Sequence, residues 1–357
     1  MAKSGKTTFK ESVEQFNGLT AAIRKREFAP VYLLMGEEPY FIDRLSELLS
    51  DSILNESEKT FSQTVVYGKD SEGGAVVNLC RQVSMMGGKM VVIVKEAQQL
   101  KKLEQLANYT QNPQDSTVLI ICHKGKNVDK RTPLYKTSKD KGIAFESVPP
   151  RDYEISGWLN DFVRSKGLVA DAKASAMLVD HLGADIAKIA NELDKLVTSL
   201  PEGTKTVTAD HIEQNIGISK DFNTFELTKA ISEKNLAKAM QIADHFARNP
   251  KDNPFVVTIS LLFTHFQRIF ILNYQRWLAK KEGRGLPSEM ELARMLKLPT
   301  AFFLREYVGA ANLYPTPKTF VIFGLLREYD MKSKGVESGS ADGGELLKEL
   351  LLKIMMI

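Results

Sequence analysis

The sequence predicts a mixed fold, an α/β region with a parallel sheet followed by an all-α region. Up to about residue 150, short strand-like apolar runs alternate with helical patterns, whereas beyond that point every periodic segment indicates a helix. Strands that alternate with helices form parallel sheets covered by helices. The chain has 357 residues, 43% of them hydrophobic, which is enough for two or three domains.

The predicted strands are short apolar runs bounded by Gly, Pro or polar residues: residues 31–35, 90–94, 117–122 and 143–147. A helix is predicted after the first run, where Phe41, Leu45 and Leu49 recur at helical spacing. A second helix precedes residue 90, with Val76, Cys80 and Val83 on its apolar face. We expect both helices to pack on the sheet.

The second half of the chain is predicted to be helical throughout. Three helices come first, at residues 152–166, 171–182 and 185–200, and a linker follows at residues 217–219. A long helix is predicted at residues 254–281, and a flexible Gly/Ser loop at residues 334–344 precedes the last helix. These boundaries predict three domains: residues 1–150, 151–217 and 218–357.

Composition argues against several classes of protein. The two cysteines, Cys80 and Cys122, lie in apolar segments without CxxC spacing and are predicted to be core residues. The five histidines are scattered, so we predict no metal and no cofactor. Neither GxSxG nor HExxH occurs, and no catalytic residue is assigned. The net charge of +4 permits contact with nucleic acid but is too small for a dedicated DNA-binding domain.

The N-terminal residues are polar and lack the apolar stretch of a signal peptide. The sequence also lacks an uninterrupted apolar run of about 18 residues. We therefore expect a cytoplasmic protein with no membrane partner.

The loop after the first predicted strand resembles a phosphate loop in position but not in chemistry. A P-loop reads GxxxxGK[ST], in which the lysine and backbone amides hold phosphate and the hydroxyl holds Mg²⁺. Counting from Gly36, Phe41 replaces the second glycine, Ile42 the lysine and Asp43 the hydroxyl residue. The two glutamates after Gly36 add negative charge where a polyphosphate would bind. The loop is predicted not to bind nucleotide.

The run at residues 90–94 occupies the position from which an ATPase presents its metal-binding aspartate. Here it continues with Lys95 and Glu96, and a lysine cannot ligate Mg²⁺. The Gly5-Lys6-Thr7 sequence has no upstream glycine or strand and is not a P-loop. One alternative stays open, an active AAA+ ATPase acting on DNA whose phosphate site is aligned differently.

Three separated segments share a pattern with a known family. They are residues 31–40 with Gly-Glu-Glu at 36–38, residues 90–97, and residues 183–185 leading to Asn-Glu-Leu-Asp-Lys-Leu at 191–196. Together they resemble the delta subunit of the bacterial DNA polymerase III clamp loader. The resemblance covers nearly the whole chain, although in the C-terminal third it depends on layout more than on motifs.

This resemblance implies an AAA+-like sheet domain with a degenerate phosphate loop, a small helical lid domain and a helical collar domain for oligomerisation. It also implies a subunit of the DNA polymerase III holoenzyme, a nucleotidyltransferase complex, that opens the clamp during DNA replication without hydrolysing ATP. The implied partners are the sliding clamp (beta subunit), the gamma/tau ATPase subunits, delta-prime and primed DNA.

In this family a hydrophobic tip before the second of the listed strands binds the clamp. The matching residues here are Val83, Met85 and Met86. Flexible thioethers fill apolar pockets on partners, and Gly87-Gly88 is predicted to end the helix and expose its tip. The family often has a bulky aromatic residue at this tip. On residue chemistry alone, the methionines could instead pack against their own sheet.

Two basic sets are candidates for DNA contact. Lys124, Lys126, Lys130 and Arg131 follow the third predicted strand. A second set combines two arginines with an aromatic residue suited to base stacking: Arg268, Arg276 and Trp277. Runs of charge are also typical of solvated faces, so that alternative stays open for both sets.

Overall fold

The computed structural model describes residues 7–83, 88–219, 221–298, 303–336 and 341–357, with the backbone alone for Asp152 and Asp180. The chain divides into two compact units, Met1–Arg151 and Asp152–Ile357, called unit 1 and unit 2 below. The finer division of the helical region at residue 217 stays a prediction. The predicted fold class, α/β followed by all-α, is confirmed.

Unit 1 is a parallel sheet surrounded by helices. Its strands are β1 (Val31–Gly36), β2 (Gln63–Tyr67), β3 (Met90–Lys95), β4 (Thr117–Lys124) and β5 (Ile143–Ser147). They lie in the order β2-β3-β4-β1-β5, and every neighbouring pair is parallel. The helices are α1 (Phe9–Arg24), α2 (Pro39–Ile53), α3 (Glu56–Ser62), α4 (Gly73–Cys80), α5 (Ala107–Thr110) and α6 (Pro133–Lys141).

The sequence reveals four of the five strands, the three central ones and β5 at one edge of the sheet. All residues of β1, and all but the last of β3 and β4, are buried, as expected for strands covered on both faces. β2, at the other edge, was not predicted because its side chains are half-buried or exposed and give no apolar run. The two cysteines lie in the core as predicted, and burial raises the pKa of the Cys80 thiol to about 12.

The predicted extent of the helix before β3 is wrong. Helix α4 ends at Cys80, and Val83 lies outside it with 76% of its surface exposed. The amides of Arg81 and Gln82 close the last turn onto the carbonyl groups of Asn78 and Leu79, three residues back. The helix therefore ends well before the glycines that were predicted to end it.

Unit 2 is almost entirely helical. Its helices are α7 (Asp152–Ser165), α8 (Ala172–Leu182), α9 (Ile186–Ser199), α10 (Ala209–Ile216), α11 (Thr224–Ser232), α12 (Leu236–Arg248), α13 (Phe255–Glu282), α14 (Glu289–Met295), α15 (Leu304–Leu313), α16 (Thr316–Ser333) and α17 (Gly343–Met356). Two strands that were not predicted, β6 (Val169–Ala170) and β7 (Thr206–Val207), pair in parallel. Strands of two residues are too short to give a hydrophobic period.

Helix α13 contributes a row of side chains to the unit 2 core. Its buried stripe includes Ile259, Leu262, Phe266 and Ile269, which recur at helical spacing. Within the described ranges it is also the single helix long and apolar enough to cross a membrane, by length and composition only. A core helix of a soluble protein passes the same test.

The end of the predicted Gly/Ser loop is wrong. Gly343 and Gly344 form the first turn of α17, and residues 337–340 lie outside the described part of the chain. A Cβ atom on Gly344 would lie 2.4 Å from the Cβ of Ala247 in α12. Glycine is needed there because the start of α17 packs directly on α12.

Candidate functional site

The loop after β1, where a P-loop would bind phosphate, is hydrogen-bonded to the end of β5. The amides of Glu37 and Glu38 both donate to the carbonyl oxygen of Ser147, at 3.0 and 3.4 Å. The Ser147 hydroxyl donates in turn to the Glu38 carbonyl at 2.6 Å. Two of the loop amides are therefore bound to the chain itself, whereas a P-loop directs its amides at phosphate.

Gly36 makes this closure sterically possible. Its φ is +140°, and a Cβ there would lie 1.9 Å from the carbonyl oxygen of Ser147. Glu38 then begins α2 as its N-cap, because its side chain accepts from the amide of Tyr40 at 2.8 Å. The Gly-Glu-Glu sequence thus forms a strand end and a helix start.

Asp43, in the position of the Mg²⁺-binding hydroxyl, is paired with a lysine. The Nζ of Lys124, at the end of β4, lies 2.6 Å from Asp43 Oδ1. At the end of β3, Lys95 is followed by Glu96, whose backbone is left-handed (φ 51°) and whose carboxylate accepts from Gln99 at 2.7 Å. Within the described residues, no group of three or more His, Cys, Asp or Glu side chains could hold a metal ion.

Glu146 of β5 is a buried carboxylate with three partners. It accepts from Thr7 at 2.7 Å and from Asn127 at 2.6 Å, and the Nζ of Lys130 lies 2.6 Å away. Burial alone would raise the pKa of Glu146, but these three donors together hold it below its ordinary value. Lys130, a predicted DNA contact, is therefore part of an internal ion pair.

Of the other residues in the first basic set, Arg131 and Lys124 form ion pairs and Lys126 is exposed. Arg131 pairs with Asp129 through three hydrogen bonds and lowers the pKa of that carboxyl to about 2. Lys124 is held by Asp43. The side chain of Lys126 is exposed. Its backbone carbonyl oxygen lies 2.8 Å from Nδ1 of His123.

The two arginines of the second basic set are bound within unit 2. Arg268 donates to the carbonyl groups of Leu296 and Lys297, at the end of α14, and to the Tyr307 hydroxyl. Arg276 donates to the side chain of Asn312 and to the carbonyl of Val308. Both guanidinium groups therefore join α13 to the α14–α15 region.

Trp277 remains available at the surface. Its side chain is 53% exposed and stacks on Tyr274, with ring centroids 5.8 Å apart. The Nζ of Lys281 lies 4.9 Å from the centre of the tryptophan ring. An exposed aromatic stack beside a lysine has the chemistry of a base-stacking platform.

The predicted clamp-binding tip lies between α4 and β3. Val83 is exposed, whereas Met85 and Met86 lie outside the described residues. On the far side of the tip, Gly88 has φ +83° and β3 begins at the buried Met90. Gly88 thus lies two residues before a core strand, at the amino-terminal edge of the sheet.

Sequence reasoning missed Ser147 and Glu146, which close the site from β5. Neither has a recognisable signal, because each is a single polar residue in a short strand. Their contacts with Glu38 and Thr7 span 109 and 139 residues.

Comparison with known proteins agrees with this architecture. The family model described as DNA polymerase III, delta subunit, matches residues 32–147. A curated relative, DNA polymerase III subunit delta of Bacillus subtilis (strain 168), is 23% identical over 344 residues, covering 94% of this chain and 95% of its own length. A solved structure, the Bacillus subtilis DNA clamp loader delta protein (YqeN), has a TM-score of 0.55 at 20% identity. That match covers 96% of this chain and all of the solved one, and it shows the fold. Together with the motifs of the sequence, these matches show that the chain is similar to the bacterial DNA polymerase III delta subunits, and the similarity to the Bacillus subtilis protein extends over nearly the whole chain.

Proposed function

We propose that this chain binds the sliding clamp and opens it for loading onto primed DNA, without hydrolysing ATP itself. The observation that carries the proposal is the closure of the loop after β1 in a relative of the delta subunits. Because the amides of Glu37 and Glu38 bind Ser147, and Asp43 binds Lys124, the fold has the frame of a nucleotide site but uses it for internal contacts.

The clamp contact is assigned to the tip formed by Val83, Met85 and Met86. An exposed valine beside two methionines supplies apolar surface that can enter a pocket on a partner. Clamp opening is a shift in population, so the tip only has to bind the open ring more tightly than the closed one.

The remaining partners are assigned to unit 2. Its C-terminal helices would assemble with the gamma/tau ATPase subunits and delta-prime, which would supply the energy of ATP hydrolysis. DNA contact is assigned to Lys126 in unit 1 and to Trp277 in unit 2, since both side chains are exposed. The protein is expected to act in the cytoplasm.

Surface plasmon resonance with the immobilised sliding clamp of the same organism tests the proposal. Replacing Met85 and Met86 by Ser should weaken clamp binding at least about tenfold, the loss expected for an apolar hot spot. Phe61→Ser is the matched control, because Phe61 is 63% exposed in α3 of the same unit. Unchanged clamp affinity in the double serine variant would refute the assignment of the clamp contact to the tip.

The alternative is an active AAA+ ATPase acting on DNA. Equilibrium binding of labelled ATP to the isolated chain distinguishes it from the proposed function. Micromolar binding with turnover would reject the proposed function. Binding of the clamp without binding of ATP would support it.

A further inference from the structure

Exposed cations gather at the amino-terminal edge of the unit 1 sheet. This edge holds the starts of the parallel strands and the ends of the helices before them: α1 before β1, α4 before β3 and α6 before β5. Its cations share an exposed side chain and form no ion pair with any described residue: Arg24, Lys25, Arg26, Arg81, Lys89 and Lys139. We call these residues the basic edge. Because the chain itself does not neutralise them, they are available to a partner.

The opposite edge of the same sheet treats its cations differently. At the carboxyl ends of the strands, Lys124 is held by Asp43 and Lys130 is held by Glu146, each at 2.6 Å. Charge is therefore largely neutralised inside the chain at the carboxyl edge, whereas it stays free at the amino-terminal edge.

The acidic groups of the amino-terminal edge do not cancel this charge. They are Glu27, Asp115 and Asp140, with Glu56 and Glu58 beside β2. Lys141 lies 3.4 Å from Asp140, and Lys59 lies 2.6 Å from Glu56. The starts of β1, β3 and β5 therefore carry an excess of free positive charge.

Arg26 is an independent sign that this charge has a role. It follows the end of α1 with a φ of 62°, in the left-handed region, and the amide of Glu27 donates to the carbonyl oxygen of Ala22 at 3.0 Å. Helices that end in this way commonly have glycine at the left-handed position, because a side chain strains that backbone. An arginine there keeps a cation at a position where glycine would be less strained.

The tip assigned to the clamp contact is flanked by the same charge. Arg81 directly follows α4 and Lys89 directly precedes β3, so a cation lies on each side of the tip in the chain. A helix end attracts cations through its dipole, but Lys89 lies outside the helices and is not explained in that way. An apolar contact with charge around it has the anatomy of an interface with a hydrophobic centre and a polar rim.

We propose that the basic edge binds an acidic surface of the sliding clamp, around the pocket that takes the tip. This inference rests on the proposed function and names the charge that the clamp surface must carry. Attraction between opposite charges raises the rate of encounter, whereas a close apolar contact mainly slows dissociation. The basic edge therefore sets how fast the clamp is captured, and the tip sets how long it stays bound.

A protein partner explains the position of this charge better than DNA does. The residues assigned to DNA contact lie elsewhere: Lys126 follows β4 at the carboxyl edge, and Trp277 belongs to unit 2. A DNA site that continued from Lys126 would need free cations at the carboxyl edge, where Lys124 and Lys130 are bound internally.

Surface plasmon resonance with the immobilised sliding clamp of the same organism, at low and high salt, tests the basic edge. Arg81→Gln combined with Lys89→Gln should lower the association rate constant about tenfold at low salt and leave the dissociation rate constant nearly unchanged. Because salt screens exposed charges, the difference should disappear at about 1 M salt. A wild-type association rate constant in this double variant at low salt would overturn the proposal.

The matched control is Lys69→Gln combined with Lys101→Gln. It also removes two exposed cations that form no ion pair with a described residue, but they follow β2 and β3 at the carboxyl edge. This control should capture the clamp at the wild-type rate. An equal loss in the control would overturn the proposal, because it would mean that net charge acts without regard to position.

Arg26→Gly guards against misfolding. Glycine adopts the left-handed backbone without strain, so the Tm should be unchanged or higher. Clamp capture by this variant should nevertheless slow about threefold at low salt, because one cation of the basic edge is lost. An unchanged Tm with a wild-type association rate constant would overturn the role of charge at the end of α1.

The salt dependence of the wild type separates this inference from the proposed function. Clamp binding whose association rate is independent of salt and equal in the basic-edge variants would overturn this inference and keep the proposed function. A wild type that does not bind the clamp would reject both. Fluorescence anisotropy with duplex DNA gives the remaining outcome: if the variant with both Arg81→Gln and Lys89→Gln loses DNA binding but captures the clamp normally, the basic edge is a DNA site and the proposal is overturned.

Discussion

Lys124, at the end of β4, forms an ion pair with Asp43 in α2, with its Nζ 2.6 Å from Asp43 Oδ1. In a P-loop protein the position of Asp43 would hold a Mg²⁺-binding hydroxyl. Here the negative charge at the helix start is neutralised by a cation of the chain itself. In the loop before this helix, the carbonyl oxygen of Ser147 accepts hydrogen bonds from the amides of Glu37 and Glu38.

We expect that removing the negative charge of Asp43 does not create a nucleotide site. Asp43→Thr restores the hydroxyl, but the loop amides stay bound to Ser147 and the P-loop lysine is still replaced by Ile42. ATP binding by isothermal titration calorimetry should stay weaker than about 1 mM, the range of very weak complexes. Micromolar binding by Asp43→Thr would mean that the carboxylate alone blocks the site.

Gly36→Ala should destabilise unit 1 by at least about 2 kcal/mol, since its Cβ would collide with the Ser147 carbonyl in a backbone conformation that alanine rarely adopts. Urea denaturation measures the effect. Gly18→Ala in α1 is the control: its Cβ meets nothing within 4 Å, so it should be neutral or stabilise by about 1 kcal/mol. Equal stabilities of the two variants would contradict the observed closure.

The pH dependence of unit 2 should depend on Glu306 in α15. Burial raises the pKa of this carboxyl to about 7, opposed by the hydrogen bond from Ser232 and the charge of Lys229, and reinforced by Glu233 and Glu226. Its unfolded pKa is about 4.5, so unfolding releases a proton between pH 4.5 and 7. The stability that Glu306 contributes is therefore present at low pH and lost as pH rises through about 7.

Glu306→Gln should abolish the loss of stability that Glu306 causes as pH rises. Relative to wild type, the variant should gain about 3 kcal/mol of unfolding free energy on going from pH 4.5 to pH 8. The comparison must be made between the two proteins at each pH, because the buried His265 has the opposite effect. Burial lowers the pKa of His265 to about 3, so its contribution is lost as pH falls below about 6.5. A difference that does not change with pH would contradict the assignment to Glu306.

Arg268→Ala and Trp277→Ala should separate stability from DNA binding. Arg268 donates to two carbonyl oxygens and a tyrosine hydroxyl, so its loss should cost about 2 kcal/mol of unfolding free energy. Trp277→Ala should leave the stability nearly unchanged and weaken binding of single-stranded DNA to the assembled complex by about 1 to 3 kcal/mol. Thermal denaturation and fluorescence anisotropy measure the two effects. Normal DNA binding by Trp277→Ala would remove this residue from the proposed contact.

The sequence alone determined the parallel sheet, the long helix α13 and the loss of P-loop chemistry. Each depends on a local pattern: an apolar run, a helical period or the residue type at a fixed distance from Gly36. The sequence did not reveal β2, whose edge position leaves its side chains half-buried or exposed, nor the end of α4 at Cys80, where local turn bonds end the helix before the predicted glycines.

The tertiary structure decided which of the candidate residues are bound by other groups of the same chain. Lys124, Lys130 and Arg268 looked alike as surface cations, but Asp43, Glu146 and the end of α14 bind them. The same holds for Ser147, which closes a loop 109 residues earlier because β1 and β5 are neighbours in the sheet. Local patterns fix secondary structure, whereas strand order and helix packing fix which distant residues meet, and that determines which groups remain free to bind a partner.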